Sequence, residues 1–221
     1  MTDHKCAGCG LVNFAENPAC RRCGAPLRAE AAAQIPPARG GRQRGFGRRV
    51  LWVFGMTAFL LVACYASLLV TSEGLDPEQR RTVARAITIL ERAGFSSEAF
   101  AMARLVSYRA TDNWWNRYVG HQSAYAATNF PFGVVTLYAP FFKNAVDEVE
   151  RAAILLHESH HVFGGDEVGA LEGVWLQKHR LGWTADGYGQ TRVWRNTREW
   201  TVRSVPALFR CGADRRSDCL E

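Results

Sequence analysis

The stretch ILLHESHHVFGGDEVGALEGVW, residues 154–175, decides how the second half of this chain is organised. Apolar residues lead into a cluster of histidines with helical spacing, so we expect a helix from Asp147 to Phe163. The pair Gly164-Gly165 ends that helix, and Asp166 begins another that reaches about His179 or Arg180. The stretch therefore predicts two helices joined by a glycine turn.

The residues His157, Glu158 and His161 have the spacing HExxH. Residues four positions apart share one helix face, so both imidazoles can bind one zinc ion, and Glu158 points at the water bound there. Zinc lowers the pKa of its water to about 7, and a neighbouring carboxylate takes the proton as a carbonyl group is attacked. The spacing therefore predicts hydrolysis with Glu158 as general base.

A catalytic zinc ion usually has three protein ligands and one open position. Three carboxylates, those of Asp166, Glu167 and Glu172, are within reach, because the glycine turn lets the next helix fold back toward the histidines. We favour Glu167 as the third ligand. Asp166 is alternatively a helix cap, or a partner that holds an imidazole in one tautomer.

The residues from Val134 to Trp175 resemble a zincin metallopeptidase. The ExxA pattern at Glu167 is similar to that of the gluzincin group, whose third ligand is a Glu on a later helix. Only five residues separate His161 from Glu167, and HVFGGDE is also similar to the metzincin spacing HxxGxxH with Glu in the last place. The resemblance implies a strand before the motif helix that binds extended substrate by backbone pairing, a role for Val134, Val135, Thr136 and Leu137.

The fold class predicted for residues 72–221 is α+β, a small zincin-like domain of helices and a short sheet. We expect a helix that starts at Asp76-Pro77 and runs to about Ala93. A second helix is predicted over Ser97–Tyr108, a strand over Gly133–Tyr138, and a short strand over Gln190–Arg195.

An uncharged apolar run of 22 residues, from Val50 to Thr71, is long enough to cross a bilayer as a helix. Residues 50–71 are therefore predicted to be a transmembrane signal anchor. Arginines precede the run and acidic residues follow it, which predicts a cytoplasmic N-terminus and an extracytoplasmic C-terminal domain at the inner or plasma membrane. A lipoprotein-like box at Cys64 is the alternative, with that cysteine as a lipidation site.

The formal net charge of +6 lies entirely before this run, because residues 1–49 hold nine Lys/Arg and three Asp/Glu. Residues 50–221 hold eighteen of each. We therefore expect the basic, Pro/Gly/Arg-rich linker at residues 28–49 to set the topology and to contact anionic lipid headgroups. RNA binding is the less favoured interpretation of the same basic residues.

Two CxxC pairs lie in KCAGCGLVNFAENPACRRCGAPL, residues 5–27, and they predict a zinc finger over residues 1–27. Such pairs make a tetrahedral structural zinc site, here with ligands Cys6, Cys9, Cys20 and Cys23. The segment resembles a Ran-binding-protein type zinc finger, with Asn13 at the asparagine position, although His4 stands where that family has Trp. The alternative interpretation of residues 1–27 is a generic zinc ribbon.

Cysteine usage agrees with the predicted topology, because zinc-binding thiolates suit a reducing cytoplasm and the outer pair Cys211 and Cys219 can form a disulfide. The function expected is a membrane-anchored zinc metallopeptidase with one catalytic and one structural zinc ion. Its partners would be a peptide or protein substrate outside the membrane, the bilayer, and a cytoplasmic protein that binds the zinc finger. The alternatives are a non-enzymatic adaptor that binds protein or RNA through its arm, and a zinc amidase acting on a non-peptide or cell-wall amide.

Overall fold

The computed structural model describes residues 3–27, 44–120, 125–212 and 217–221, with the backbone alone at 44–46. It divides the chain into two compact units, residues 1–57 and 58–221. The linker predicted at 28–49 lies outside the described residues as far as position 43, and so does the middle of the loop between Cys211 and Cys219.

The first unit begins with a short hairpin of β1 (His4–Lys5) and β2 (Val12–Asn13), paired antiparallel with His4 opposite Asn13. Within residues 3–27, the buried side chains are those of Cys6, Asn13 and Cys20. Leu11, Val12 and Phe14 are exposed. The fold of this segment therefore depends on its cysteines and not on an apolar core.

Helix α1 (Arg44–Val70) contains the uncharged run. From Gly47 to Val70 it is long and apolar enough to cross a membrane, and it is the one helix of this kind in the part of the chain that the structure describes. Its side chains are exposed from Leu51 to Cys64, whereas Leu68 in the last turns is buried.

Helices α2 (Pro77–Arg92) and α3 (Ser96–Arg104) follow. Asp76 caps α2, as the sequence predicts, in a reciprocal capping box with Gln79, and the helix ends before Gly94. The prediction of helix as far as Tyr108 was wrong, since α3 ends at Arg104 and a strand begins at Ser107.

The second unit holds a three-stranded sheet of β3 (Ser107–Arg109), β4 (Ala126–Asn129) and β5 (Val134–Leu137), in the order β3-β5-β4. Strand β5 pairs in parallel with β3 and antiparallel with β4. The predicted strand at 133–138 agrees with β5, whose long-range pairing also explains why residues 107–109 are extended.

The described part of this unit contains six further helices: α4 (Trp114–Val119), α5 (Ala139–Lys143), α6 (Glu148–Val162), α7 (Glu167–Leu181), α8 (Ala185–Tyr188) and α9 (Arg192–Ser204), before a 3-10 turn at Pro206–Phe209. The predicted strand at Gln190–Arg195 was wrong. Thr191 caps α9 by accepting from the amide of Trp194, and Val193, Trp194 and Thr201 form one buried face. The described chain is thus mixed α+β.

Three tryptophans form the centre of the core behind α6 and α7. The rings of Trp175, Trp183 and Trp194 lie 4.7–6.2 Å apart, mostly edge to face, and are almost fully buried. Burial of a large apolar side chain contributes about 1.5–3 kcal/mol each. This cluster therefore fixes α7, which α6 also contacts.

The C-terminal tail is attached to α7. A disulfide joins Cys211 and Cys219. Fully buried Lys178 of α7 forms ion pairs with Asp218, at 2.5 Å, and Glu221, at 2.7 Å. The indole of Trp175 also donates to Asp218. These contacts hold the tail against the helix that begins at Glu167.

Candidate functional site

Helix α6 positions the histidines of the HExxH segment. Asp147 begins it by accepting hydrogen bonds from the amides of Val149 and Glu150, both at 3.0 Å. Its opposite face is buried through Ala152, Leu155, Leu156 and Ser159. Because that face is fixed in the core, the face that carries His157 and His161 points into a cavity.

A tight turn connects α6 to α7. Gly164 has φ +82°, and the amide of Gly165 donates to the carbonyl of His160 at 2.7 Å. A Cβ on Gly165 would lie 2.9 Å from that carbonyl oxygen, so a larger residue does not fit without movement. The two glycines therefore bring the first residue of α7, Glu167, back beside the histidines.

Three side chains converge at this turn. The Nε2 atoms of His157 and His161 are 3.2 Å apart, and Oε2 of Glu167 lies 3.5 Å and 3.2 Å from them, respectively. Neighbouring nitrogen or oxygen ligands of a tetrahedral zinc ion are about 3.3 Å apart, given metal–ligand distances of about 2.0–2.1 Å. The donor set and its spacing fit a divalent metal ion with one position left for another ligand.

The other candidate carboxylates lie outside this cluster. Asp166 caps α7, its side chain accepting from the amide of Gly169 at 2.8 Å. Glu172 is half-buried on α7 and does not line the cavity. Of the three candidate carboxylates, Glu167 therefore lies beside the histidines. Asp166 has its alternative predicted role, that of a helix cap.

Hydrogen bonding within the cluster shifts two pKa values. Bonds from His157 and His161 hold the pKa of Glu167 well below its usual range, and the bond to Glu167 raises the pKa of His161 to about 9. The Nδ1 atom of His161 lies 3.0 Å from the carbonyl of Gly165, so it donates there and Nε2 faces the cluster. The carboxylate is therefore ionised, and a metal ion that binds here displaces a proton.

Glu158 follows His157 and is buried, with 4% of its surface exposed. Its Oε2 accepts a hydrogen bond of 2.7 Å from the hydroxyl of Thr128 on β4. The sequence contains no local signal for this partner, because Thr128 is brought to Glu158 only by the pairing of β4 with β5. The bond orients the carboxylate of Glu158, which lines the cavity.

The cavity has a volume of about 600 Å³ and is lined by His157, Glu158, His161 and Glu167. On one side lies β4, and on the other lies α9 with Asn196 and Trp200. The amide of Asn196 donates to the hydroxyl of Tyr125 across it at 3.0 Å. Apolar side chains of α6 and α7 form the remaining wall. A chain segment of a few residues fits in this volume.

The strand assigned to substrate pairing has to be corrected. Val134–Leu137 is the central strand of its sheet, so both its edges are paired, and all four residues are buried. In the described part of the chain β4 is one of the two edge strands of this sheet, and four consecutive residues, Tyr125 to Thr128, line the cavity. Because neighbouring residues of a strand point to opposite faces, such a continuous lining means that β4 presents its backbone edge.

The four cysteines of the first unit form a second cluster. The Sγ atoms of Cys6 and Cys23 are 3.5 Å apart, as are those of Cys9 and Cys20, and all four lie within 4.8 Å of one another. Asn13 donates to Cys20 Sγ and accepts from the amide of Arg21, which ties β2 to the second CxxC turn. This cluster is arranged to hold a metal ion.

The backbone amides around the second turn favour a thiolate. A hydrogen bond from the amide of Cys23, and another from that of Arg22, lower the pKa of the Cys20 thiol, while burial opposes them. A deprotonated sulfur is the form that binds a metal ion.

No protein-family model, no curated protein and no solved structure matches this chain.

Proposed function

We propose that this chain is a membrane-anchored, zinc-dependent metallopeptidase with its active site in residues 58–221. One observation carries the proposal: His157, His161 and Glu167 converge with the spacing of a three-ligand zinc site, and Glu158 lies beside them in the same cavity. Two imidazoles and one carboxylate with an open position are the ligand set of catalytic zinc, whereas structural sites are closed by a fourth side chain.

The zinc ion would supply Lewis-acid activation of the scissile carbonyl and of water. The residues around it have separate tasks. Glu158 accepts a proton from water at the carboxylate oxygen that does not bond Thr128, and then donates that proton to the leaving amine. Thr128 holds the carboxylate in the orientation for both transfers.

The substrate is an extended polypeptide. The edge of β4 that lines the cavity offers backbone hydrogen bonds to a chain laid along it, and the apolar wall formed by Ile154, Leu171 and Val174 accepts a hydrophobic side chain. Backbone pairing of this kind does not distinguish sequences, so the side-chain pocket would set the preference.

The anchor and the arm complete the proposal. Helix α1 crosses the membrane with the basic residues that precede its uncharged run in the cytoplasm. The domain that contains the HExxH segment is then outside. The four-cysteine finger holds a structural zinc ion and binds a cytoplasmic protein. Tyrosine and tryptophan side chains after α1 then lie near the outer headgroups.

The decisive experiment combines metal content with peptide hydrolysis by the full-length protein in detergent. We expect two zinc ions per chain, and cleavage of a proteome-derived peptide library read out by mass spectrometry. Glu158→Gln should keep both metal ions, because the amide oxygen still accepts from Thr128, and should lower hydrolysis at least about a thousandfold. His157→Ala should lose one zinc ion and all activity.

Glu172→Gln is the matched control, since Glu172 lies on the neighbouring helix outside the cluster. It should retain metal content and rate. If Glu158→Gln cleaved at the wild-type rate, the general-base assignment would be wrong. A protein that holds one zinc ion, or two without hydrolysing peptides, would favour the adaptor. Release of fragments from peptidoglycan but not from peptides would identify the amidase.

A further inference from the structure

The last turns of α1 run beside β3 in the same direction. The hydroxyl of Tyr65 bonds that of Ser107 at 2.7 Å. Farther along, the guanidinium of Arg109 donates to Oγ of Ser72 at 2.9 Å and to the carbonyl of Leu69 at 2.5 Å. Because α1 and β3 run in the same direction, residues earlier in α1 lie beside the part of the sheet that precedes Ser107.

This correspondence locates the hairpin between β4 and β5. Ser107 pairs with Val134, and its amide donates to the carbonyl of Gly133 at 2.9 Å. The hairpin tip at residues 130–133 therefore lies beyond Ser107, level with the part of α1 that precedes Tyr65. That part, Ala58–Cys64, is exposed and apolar throughout.

Three exposed apolar side chains surround this tip, and we call them the apolar rim: Leu105, Phe130 and Phe163. Their exposed fractions are 59%, 61% and 58%. The carbonyl of Leu105 lies against Gly133, and the ring of Phe130 lies against Gly164, the neighbour of Phe163. Exposed apolar side chains grouped on one part of a surface mark a site of contact with another protein or with a membrane.

The length of α1 indicates which partner this is. A bilayer core is about 30 Å thick, whereas the fourteen consecutive exposed residues from Leu51 to Cys64 extend only about 21 Å. Arg48 and Arg49 precede this segment. The residues of α1 after Cys64, which pack on the domain, must therefore complete the membrane span. The edge of the domain beside these residues then contacts lipid.

Helix α4 supports this placement. The indole of Trp114 donates to Ser67 of α1 at 2.9 Å, and Arg117 donates to the carbonyl of Thr71. Trp115 and Tyr118 on the same helix are exposed. Tryptophan and tyrosine side chains are enriched at the level of lipid headgroups, about where the apolar part of α1 ends.

We propose that the apolar rim enters the headgroup and upper acyl region of the bilayer that α1 spans. This inference rests on the proposed membrane anchor, and it gives the peptidase a substrate class. Phe163 and Gly164 follow His161 within three residues, so the histidine end of the cavity lies close to the apolar rim. The substrates are then polypeptide segments that lie against or emerge from the bilayer.

The test is photolabelling of the full-length chain in vesicles of phosphatidylethanolamine and phosphatidylglycerol. A phospholipid with a diazirine near the glycerol end of one acyl chain is irradiated, and labelled residues are mapped by mass spectrometry. We expect label on α1, on residues 130–132, and on Leu105 and Phe163. Val146 is the internal control, because it is equally exposed, at 62%, but lies before α6, at the opposite end of that helix from Phe163.

A variant makes the test sharper. Phe130→Gln should reduce labelling of Leu105 and Phe163 severalfold and leave that of α1 unchanged, whereas Val146→Gln should change neither. Label on α1 with residues 130–132 no higher than Val146 would overturn the proposal, and so would an unlabelled α1. Labelling needs no catalysis, so Glu158→Gln should give the wild-type pattern even if the peptidase assignment fails.

Discussion

The hydroxyl of Thr128 bonds Oε2 of Glu158 at 2.7 Å across thirty positions of sequence. One partner lies on the edge strand β4 and the other on α6, so the bond connects two of the walls of the cavity. Glu158 has 4% of its surface exposed. A buried carboxylate with one fixed oxygen is restricted to a single orientation, which a general base requires.

Thr128→Val should therefore lower kcat for peptide hydrolysis about tenfold, because a hydrogen bond to a charged group contributes about 1.5–3 kcal/mol and part of it is recovered from water. The zinc content should stay at the wild-type value, since Thr128 is not a ligand. Steady-state kinetics on one cleaved peptide, with metal analysis on the same sample, measures both.

The control for this variant is Thr128→Ser, which keeps the hydroxyl and should restore most of kcat. A change in KM alone would mean that Thr128 positions the substrate and not Glu158. Equal rates for the valine variant and the wild-type protein would remove Thr128 from the proposed mechanism altogether.

Glu167→Gln should weaken metal binding at the histidine site at least about tenfold, because a neutral amide replaces an ionised ligand that both imidazoles contact. Titration with a zinc chelator should then release one ion from the full-length protein at lower chelator concentration, while the cysteine-bound ion is released as before. Asp166→Asn, which keeps the cap on α7, should not change the release. If it did, Asp166 would be a ligand.

Local signals in the sequence predicted α6 well. Asp147 at its start and Gly164-Gly165 at its end act within a few residues, and HExxH fixes the histidine spacing by helix geometry alone. The same holds for α2, with Asp76 as cap. The glycine turn also predicted that the next helix folds back to the histidines, but it left three carboxylates within reach, and the ExxA pattern favoured Glu167 among them.

Features that depend on distant pairing were not predictable. The helix expected over Ser97–Tyr108 ends early because Ser107–Arg109 pairs with Val134–Thr136. The central place of β5, which removes it from substrate binding, is a property of strand order and leaves no local signal. The strand expected at Gln190–Arg195 is the start of α9, whose buried face extends to Thr201, beyond the residues that suggested a strand.

Gly165→Ala should destabilise the second unit by about 1–3 kcal/mol, because its Cβ would lie 2.9 Å from the carbonyl of His160 and the turn has no room to move without displacing Glu167. Thermal unfolding followed by circular dichroism gives the change. Gly187→Ala is the matched control, since the nearest atom to its Cβ would be 3.9 Å away. A stable Gly165→Ala protein with unchanged metal affinity would show that the turn tolerates a side chain.

Removal of metal from the cysteine cluster should unfold residues 3–27. The buried side chains there are Cys6, Asn13 and Cys20, so little apolar burial opposes unfolding once the metal is lost. The amide of Arg21 donates to Asn13 in the folded finger, and this hydrogen bond is lost on unfolding. Trypsin should then cut after Arg21 at least about tenfold faster in a strong chelator. Cys23→Ser should be cut rapidly without chelator, whereas Cys64→Ser should behave as wild type. Equal cleavage before and after chelation would mean that the hairpin folds without a metal ion.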